Sequence, residues 1–463
     1  MKSIFRIFTI LVVVAFSFIL LGIKGVQAKE EKSVEEDILE ILKEKGTITT
    51  EKYEYLKKKA EVEKAKESKR PRVGFKKGFF LETPDGNLKL QPWMKLRGQF
   101  KEFEANHPTN NDFYMRTARF GLKGIVHKYF DFNVSGEFGK GSSCLWDGYM
   151  GINYLPEAKL RIGQFKQPFS LEWYSSADWR DFIEMPLPID NLTPDMDIGA
   201  MFHGNLGKKI FNYGLGVCNG TGKNTSDTND DKDIVGRVVF TPFNSSNNLF
   251  LKGLHIGGSM TYGNQEAERG EMRRSGKFQT AGGTPFFQFN NGILHDGTRT
   301  RYGGELCYMI GAFSLKGEWV RMDLDDLYHP TDGTKDDFDI DGSYMSLSYT
   351  LTGEHQPFKD GKYGRITPKH NFDSGKGSWG AIQLVARYET LSIDSKLLTK
   401  GYTDSTLYTD EAEGFTLGVN WYLNDLVRTM INYTSTDFNG HIVKDGEKLD
   451  SEDLFLVRMQ LVF

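Results

Sequence analysis

From Phe75 to the end of the chain, apolar and polar residues alternate in segments of about ten residues. Clusters of Gly, Asn, Asp and Pro separate these segments, and a period of two is typical of β-strands. The alternation predicts sixteen strands, near residues 88–103, 112–127, 129–139, 145–155, 158–165, 198–206, 209–218, 233–242, 252–263, 299–311, 312–322, 340–352, 377–391, 414–424, 427–437 and 450–463. An even number of strands brings both chain ends to one side of a closed barrel. The pattern therefore predicts an all-β fold built on a sixteen-stranded antiparallel transmembrane β-barrel.

The connections between the predicted strands alternate between tight turns and long loops. The turns include "HKY" at residues 127–129 and "LND" at 423–425, whereas the loops include residues 166–197 and 264–298. Short periplasmic turns and long external loops are the usual arrangement in outer-membrane barrels. The connection 353–376 lies on the turn side but is long, so either it folds against the barrel or the strand count is wrong there.

One face of each predicted strand is rich in aromatic and aliphatic residues and is expected to contact lipid. Three such faces consist of Phe130, Phe132, Val134 and Phe138; of Trp146, Met150, Ile152 and Tyr154; and of Phe415, Leu417, Val419, Trp421 and Leu423. The last strand presents Phe455, Val457, Met459, Leu461 and Phe463 on one face and runs to the final residue. Because a chain end frays unless it is paired, we expect the terminal Phe463 to be paired and recognised.

Residues 29–72 have a different composition, with many charges and almost no aromatic residues. "SVEEDILEILKEKG" begins with a capping box, Ser33 to Glu36, and stops at Gly46, which predicts one helix. "TTEKYEYLKKKAEVEKAKES" predicts a second helix, and the two form a short α-helical hairpin able to pair as a coiled coil. A periplasmic oligomerisation or tethering element and a solvated charged spacer both fit this composition.

Residues 1–28 have the pattern of a secretory signal peptide. Lys2 and Arg6 precede an apolar run, and cleavage is expected after Ala28. The alternative is a membrane anchor, since the run approaches the roughly 20 residues needed to span a bilayer. The predicted organisation is a signal peptide (1–28), a helical segment (29–72) and a barrel (73–463) in the outer membrane of a Gram-negative bacterium.

Bulk composition adds little to this picture. A net charge of −4 and a mean hydropathy of −0.46 fit a soluble exported protein and a membrane barrel equally well. The three cysteines, Cys144, Cys218 and Cys307, are too few and too scattered for a disulfide framework. None has a second Cys or a His at metal-ligand spacing, so no metal or cofactor is expected.

The faces opposite the lipid-facing ones carry a basic set of fourteen residues: Lys89, Lys95, Arg97, Lys101, Arg119, Lys123, Lys159, Arg161, Arg237, Arg301, Lys316, Arg387, Arg428 and Arg458. The same faces carry eight acids: Asp131, Glu137, Asp147, Asp233, Glu305, Glu318, Glu389 and Glu452. A one-residue slip would turn the charges toward lipid, where Arg or Lys costs about 2–4 kcal/mol. Rings of Arg and Lys favour anions in a pore, and the planar Arg fork suits phosphate. We therefore expect these side chains to line a pore and to bind small anions.

An alternative explains the same charges without selectivity. Pores also carry Arg and Lys that pair with nearby carboxylates, and Glu305 with Arg301 or Glu318 with Lys316 are candidates for such pairs. On that interpretation the protein is a general diffusion channel.

Six segments of the chain together resemble a known family. They are "RIGQFKQPFSLEW", "YGLGVCNGTG", "RVVFTPF", "SYTLTGEHQPFKDGKYGRITPKHNFD", "GSWGAIQLVARYETLSID" and "GFTLGVNWYLNDLVRTMINY". In this order, across most of residues 79–463, they resemble the signatures of the phosphate-selective porin O and P family. The resemblance implies a sixteen-stranded outer-membrane barrel, usually a homotrimer, whose third external loop folds into the pore.

The resemblance also assigns residues. The matching basic positions are Arg119 in the second strand, Arg161 and Lys166 at the start of the third loop, Arg237 before "FTPF" and Arg387 in "LVARY". The terminal Phe463 resembles the signal that barrel-assembly machinery recognises. The chain departs from the family pattern at Met196, where a basic residue is expected, and in the acid-rich stretch 172–197.

Three function classes follow from the sequence. The first is passive diffusion of small anions, phosphate or polyphosphate included, and a general non-selective porin is its alternative. The second is a structural barrel whose N-terminal helices contact peptidoglycan or another envelope component. An enzyme is not expected, because the nine His lie in scattered contexts without a G-x-S-x-G or H-E-x-x-H motif. Apart from membrane lipid and anions, nothing indicates a nucleic-acid partner, since glutamates balance the lysines of the helical segment.

Overall fold

The computed structural model describes residues 34–463, except 68–69, 76–77, 106, 140, 142, 228–229 and 266–275. The predicted signal peptide and the capping residue Ser33 lie outside the described residues. Two helices, α1 (Val34–Glu44) and α2 (Thr50–Glu67), precede the barrel. Gly46 follows α1 with a φ of 66°, the left-handed conformation that commonly ends a helix. Tyr53 of α2 is buried, with the Lys43 ammonium 4.4 Å from its ring centre, so the two helices contact each other.

Sixteen antiparallel strands form the barrel. They are β1 (Leu88–Phe103), β2 (Asp112–Val126), β3 (Phe130–Glu137), β4 (Cys144–Leu155), β5 (Ala158–Lys166), β6 (Met196–Leu206), β7 (Phe211–Cys218), β8 (Asp233–Phe240), β9 (Leu254–Asn264), β10 (Thr298–Ile310), β11 (Phe313–Tyr328), β12 (Lys335–Thr350), β13 (Ala381–Ile393), β14 (Glu411–Tyr422), β15 (Val427–Lys444) and β16 (Glu447–Val462). Each strand pairs with the next in sequence, so the sixteen-strand prediction is confirmed.

The barrel closes between its first and last strands. β16 pairs with β1 from Leu454 opposite Phe103 to Val462 opposite Lys95. One step further, Phe463 accepts a hydrogen bond from the Met94 amide at 3.0 Å and donates one to its carbonyl at 3.2 Å. The expected pairing of the terminal residue is therefore present.

Several strands extend further on the external side than the alternation predicts. β11 runs to Tyr328 instead of residue 322, and β15 runs to Lys444 instead of residue 437. Beyond the bilayer both faces of a strand meet water, so the polarity pattern fades while the hydrogen-bond ladder continues.

The prediction that Trp146 faces lipid is wrong. Arg119, on the inner face of β2, lies 3.7 Å from the Trp146 ring centre, and Trp146 packs against the interior hydrophobic core. The register between β3 and β4 shifts at this point, and Leu145 takes the exposed position instead. Such a β-bulge inserts one residue and turns neighbouring side chains to the same side.

Part of the barrel interior is occupied by long connections between strands. A hydrophobic core joins residues of the connection 167–195 with the short hairpin of Lys277–Gln279 and Pro285–Gln288. Its fully buried members include Phe169, Ile189, Leu192, Phe278 and Phe287. Within the part of the chain that the structure describes, no helix combines the length and apolarity needed to cross a membrane.

Candidate functional site

Residues 167–195, here called the constriction loop, leave β5 and fold back inside the barrel. The loop contains two short helices, α3 (Leu171–Tyr174) and α4 (Leu187–Leu192), and most of its residues are buried. Apolar side chains such as Phe169, Leu171 and Ile189 hold it in place, since each buried side chain of this size contributes about 1.5–3 kcal/mol. The inward fold of the third loop, which the family resemblance implies, is present.

Acidic side chains of the constriction loop meet basic side chains of the barrel wall. Asp178 accepts from Lys95 at 2.6 Å and is also ion-paired to Arg97. Asp181 accepts from Lys316 at 2.7 Å. These five charged groups are largely removed from water, so several of the predicted basic residues neutralise the loop.

Glu184 forms a second link between the loop and the wall. Its carboxylate lies 3.0 Å from Arg458 on β16 and 3.4 Å from Arg116 on β2. It also accepts a hydrogen bond from Gln99 on β1 at 3.1 Å. The loop is thus attached across the seam where the barrel closes.

The ionisation of these loop acids follows from their partners. Burial alone raises the pKa of Glu184, but Arg116 and Arg458 outweigh it and lower the pKa to about 2. Burial likewise opposes ionisation of Asp178, yet Lys95 and Arg97 hold its pKa well below the usual range. Both carboxylates are therefore charged at neutral pH.

We expect the ion pairs of Glu184 with Arg116 and Arg458 to be insensitive to pH between 8 and about 5. A carboxyl whose folded pKa is depressed stabilises the fold above its unfolded pKa, here 4.5 for Glu184, and this contribution is lost as pH falls through the folded value of about 2. Single-channel recordings of the unsubstituted protein and of Glu184→Gln at a series of pH values check this. Conductance fluctuations that depend on Glu184 should grow only below about pH 3. A transition near pH 7 that Glu184→Gln abolishes would contradict the assignment.

Other predicted residues are paired within the wall. Arg237 contacts Glu305 at 2.6 Å and donates to the Gly361 carbonyl at 2.8 Å. Arg387 contacts Glu389 at 2.9 Å and donates to the Glu184 carbonyl at 3.0 Å. Glu305 therefore pairs with Arg237 across the strands instead of Arg301, the partner considered from the sequence.

Two further residues of the predicted set contact neutral oxygen atoms. Arg301 lies against the Thr261 hydroxyl at 3.4 Å, and Arg428 donates to the Arg180 carbonyl at 2.9 Å. Glu318 does not pair with Lys316, because its oxygens accept from the backbone amides of Leu171 and Glu172. The wall and the constriction loop thus share one hydrogen-bonded network.

Lys166 supports the constriction loop directly. Its ammonium donates to the carbonyls of Trp173 and Ser175 at 2.6 and 3.1 Å. Three further residues of the predicted set lie along β1 and β2. Lys89 lies over the Phe80 ring, Lys101 lies over the Phe103 ring, and Lys123 is exposed.

The long connection at residues 353–376, here called the periplasmic insert, also folds into the barrel. The Tyr363 hydroxyl donates to Glu172 of the constriction loop at 2.6 Å, and the Lys316 ammonium lies 3.9 Å from the Tyr363 ring centre. Elsewhere in the insert, Phe358 stacks on His255 of β9 with ring centres 3.6 Å apart. The strand count is therefore correct, and the first of the two explanations for this connection is confirmed.

Where the insert meets the constriction loop, three cations surround one phenol. Lys362 lies 4.0 Å and Arg237 5.4 Å from the Tyr174 ring centre. The Arg161 guanidinium lies 4.1 Å from the Tyr149 ring centre and also interacts electrostatically with the Tyr174 hydroxyl. Burial raises the pKa of Tyr174, but Lys362, Arg161 and Arg237 together lower it below its ordinary value. We call Arg161, Arg237 and Lys362 the cation cluster.

Two members of the cation cluster differ from the loop contacts because they lack counter-charges. Among the described residues, no carboxylate lies within ion-pairing distance of Arg161 or Lys362, whereas Arg237 pairs with Glu305. The sequence argument included Arg161 but missed Lys362, which lies in the periplasmic insert. Arg161 and Lys362 are therefore available to an anion.

The sequence argument missed Arg116. Strict alternation from Arg119 places Arg116 on the lipid face, but the register between β1 and β2 shifts beside it and the side chain points inward to Glu184. It lines a cavity of about 510 Å³ together with Lys101, Tyr114 and Asp190. Two arginines three positions apart in one strand are the signal that could have found it, since only a bulge keeps both out of lipid.

No group of three or more His, Cys, Asp or Glu side chains that could hold a metal ion is found in the described ranges. The contacts seen here are ion pairs, hydrogen bonds and cation–aromatic contacts between wall, loop and insert.

Comparison with known proteins agrees with this architecture. The family described as phosphate-selective porin O and P matches residues 88–463. Porin O of Pseudomonas aeruginosa is 23% identical over 427 residues, covering 84% of this chain and 91% of the relative. The fold is similar to a loop-deletion mutant of OmpT, an outer membrane protein of Vibrio cholerae (TM-score 0.53, 12% identity, 81% of this chain and 100% of that chain). It is also similar to an anion-selective porin from Comamonas acidovorans (TM-score 0.50, 12% identity, 81% and 100%).

The family match spans the whole barrel, from the first strand to the terminal phenylalanine. It places the protein in the Gram-negative outer membrane, among channels. The chain belongs to the phosphate-selective porin O and P family.

Proposed function

We propose that this porin conducts small anions passively, phosphate and polyphosphate included, past the cation cluster. The observation that carries the proposal is that Arg161, which stacks on Tyr149, and Lys362, which lies over Tyr174, have no carboxylate within ion-pairing distance among the described residues. An anion passing this point gains charge-assisted hydrogen bonds without displacing a carboxylate.

The distribution of charge in the interior supports this direction of selectivity. The loop acids Asp178, Asp181 and Glu184 are engaged by wall cations, so they do not present free negative charge to a passing ion. Near the cluster, three cations, Arg161, Lys362 and Lys159, act on His203 of β6. The local field at the cation cluster is therefore positive.

Replacing both Arg161 and Lys362 with glutamine removes two positive charges from the proposed ion path. We expect the anion preference to fall by roughly three- to tenfold, where tenfold corresponds to about 1.4 kcal/mol. The measurement is the reversal potential of purified protein in planar bilayers under a potassium chloride gradient. Lys448→Gln, an exposed lysine at the start of β16, is the matched control and should leave the potential unchanged. Cation preference in the unsubstituted protein would overturn the proposal.

Competition between phosphate and chloride distinguishes a phosphate-binding pore from a general anion pore. Added phosphate should reduce chloride current at submillimolar to millimolar concentrations if it binds at the cluster, and the R161Q/K362Q variant should lose this block. Unchanged current at excess phosphate would favour a general anion pore. An absence of any ion-permeable steps would favour the alternative of a structural barrel that tethers the envelope.

The assembly of the protein is proposed in the same way. The trimer of OmpT from Vibrio cholerae, whose fold is similar, supports an oligomer, and we propose a homotrimer. We further propose that α1 and α2 form a periplasmic coiled-coil or tethering element and that Phe463 is the signal read by the assembly machinery. Chemical cross-linking of the full chain in native membranes tests the trimer, and deletion of Phe463 should lower the amount of inserted barrel.

A further inference from the structure

A short β-hairpin precedes the barrel and leaves one apolar face uncovered. Its strands, Arg72–Phe75 and Phe79–Glu82, pair with Val73 opposite Leu81 and Phe75 opposite Phe79. These four residues share one face because side chains alternate along a strand. Val73 is 75% exposed, Leu81 is 37% exposed, and Phe75 and Phe79 are each 54% exposed. Such exposure is unusual for clustered aromatic and aliphatic residues.

The hairpin occupies a defined place at the barrel seam. The last strand stops at Phe463 beside Met94, and below this point the edge of β1 continues to Leu88. The hairpin pairs with that same edge, Leu81 opposite Leu90, and the Phe79 ring meets the Phe463 ring edge-on at 6.4 Å. It therefore lies in line with β16 and covers an edge that the last strand leaves open.

The apolar face of the hairpin continues the lipid-facing surface of the barrel. Directly paired residues point to the same side of a sheet, so Leu81 shares the side of Leu90 on the outer face of β1. The other side carries charges beside Phe80: Glu82 lies opposite Lys89, and Arg72 is paired to Glu82 at 3.4 Å. The hairpin thus separates a lipid-like side from a charged side as the barrel strands do.

The sequence around the hairpin is basic as well as aromatic. Five cations fall within nine residues, namely Lys69, Arg70, Arg72, Lys76 and Lys77. Aromatic residues beside clustered Lys and Arg are typical of segments that lie at the surface of anionic membranes. A second copy of the hairpin is a poorer occupant, since these like charges would be brought together.

We propose that the hairpin of residues 72–82 is a membrane-interface anchor whose apolar face inserts among anionic phospholipids of the periplasmic leaflet. It fixes the C-terminal end of the helical segment at the membrane surface beside the closing seam. Its occupant is lipid, and it acts independently of ion conduction through the pore.

Photo-cross-linking of the full-length protein in vesicles tests this proposal. Vesicles contain phosphatidylcholine and phosphatidylglycerol with a trace of diazirine-labelled phosphatidylglycerol, and adducts are mapped by mass spectrometry. We expect adducts on Val73, Phe75, Phe79 and Leu81, as on the barrel residue Phe130, and none on Ile38 of α1. Adducts on Phe130 with none on residues 72–82, or cross-links from the hairpin to a second copy, would overturn the proposal.

A pair of variants separates insertion from folding. Phe75→Asp with Phe79→Asp should lower hairpin adducts at least about fivefold, because charged side chains are costly in the hydrocarbon region. Ile38→Asp with Ile41→Asp, which changes two half-exposed apolar residues of α1, is the matched control and should leave adducts unchanged. Adducts on Phe130 report that the barrel is inserted in each variant. Equal hairpin labelling in both variants would contradict the proposal.

Discussion

Replacing Asp178 with asparagine should raise the chloride-over-potassium permeability ratio by roughly three- to tenfold, since unit charges several ångströms apart interact by a few kcal/mol in a partly solvated site. Asp178 neutralises Lys95, 2.6 Å away, and Arg97, and its side chain is only 3% exposed. Without the carboxylate charge these two cations remain inside the barrel beside Arg119, and the interior becomes more positive. The reversal potential under a salt gradient measures the change.

The same substitution should loosen the constriction loop without releasing it. Removing one partner of a buried ion pair costs about 3–5 kcal/mol. The loop also buries Phe169, Leu171, Ile189 and Leu192, at about 1.5–3 kcal/mol each, so apolar packing outweighs the loss. Asp178→Glu, which keeps the charge, and Asp332→Asn, on an exposed external loop, should both leave the permeability ratio near that of the unsubstituted protein. An unchanged ratio in Asp178→Asn would show that Lys95 and Arg97 do not contact the ion path.

Shortening the periplasmic insert should increase single-channel conductance by roughly twofold or more, because the narrowest cross-section limits a water-filled pore. The change replaces residues 356–366 with an Asn-Gly turn. It removes Tyr363, whose hydroxyl contacts Glu172 at 2.6 Å, and Lys362, a member of the cation cluster. Conductance should therefore rise while anion preference falls, and exclusion of polyethylene glycols of graded size measures the width independently.

A milder variant separates the two effects of the insert. Tyr363→Phe removes the hydrogen bond to Glu172 but keeps the ring beneath Lys316 and the Lys362 ammonium. We expect conductance to rise only slightly and anion preference to be retained. If the shortened insert leaves conductance unchanged, the constriction loop alone determines the width of the pore.

The strands were predictable because the bilayer imposes their pattern. Lipid on one side and a polar interior on the other force a period of two, and the cost of a charge in lipid fixes the register. The same rule failed at Trp146 and Arg116, where a bulge inserts a residue and reverses the face. A single sequence shows a bulge only indirectly, through a charge that would otherwise lie in lipid.

The chemistry of the interior was less predictable than the strands. The basic positions of the wall follow from alternation, but their partners come from a loop without a period and from distant strands. Lys316 meets Asp181 and Arg237 meets Glu305 only after the chain has folded. The distinction between cations that a carboxylate neutralises and Arg161 and Lys362, which have none within ion-pairing distance among the described residues, is therefore a property of tertiary structure. For the same reason, the acid-rich stretch 172–197 does not by itself argue against anion passage.

The attachment of Glu184 has a consequence for the order of folding. Its partners Arg116 and Arg458 belong to strands near opposite ends of the chain, which become neighbours only when β16 pairs with β1. Contacts this distant in sequence form late, because the closure of a long chain segment must come first. Before closure the constriction loop lacks its contact with Arg458, and we expect it to be more accessible to proteases. The loop takes its final position inside the barrel only when the last strand has paired. The seam and the constriction are thus finished in one step, and an unclosed barrel in the periplasm exposes an undocked loop.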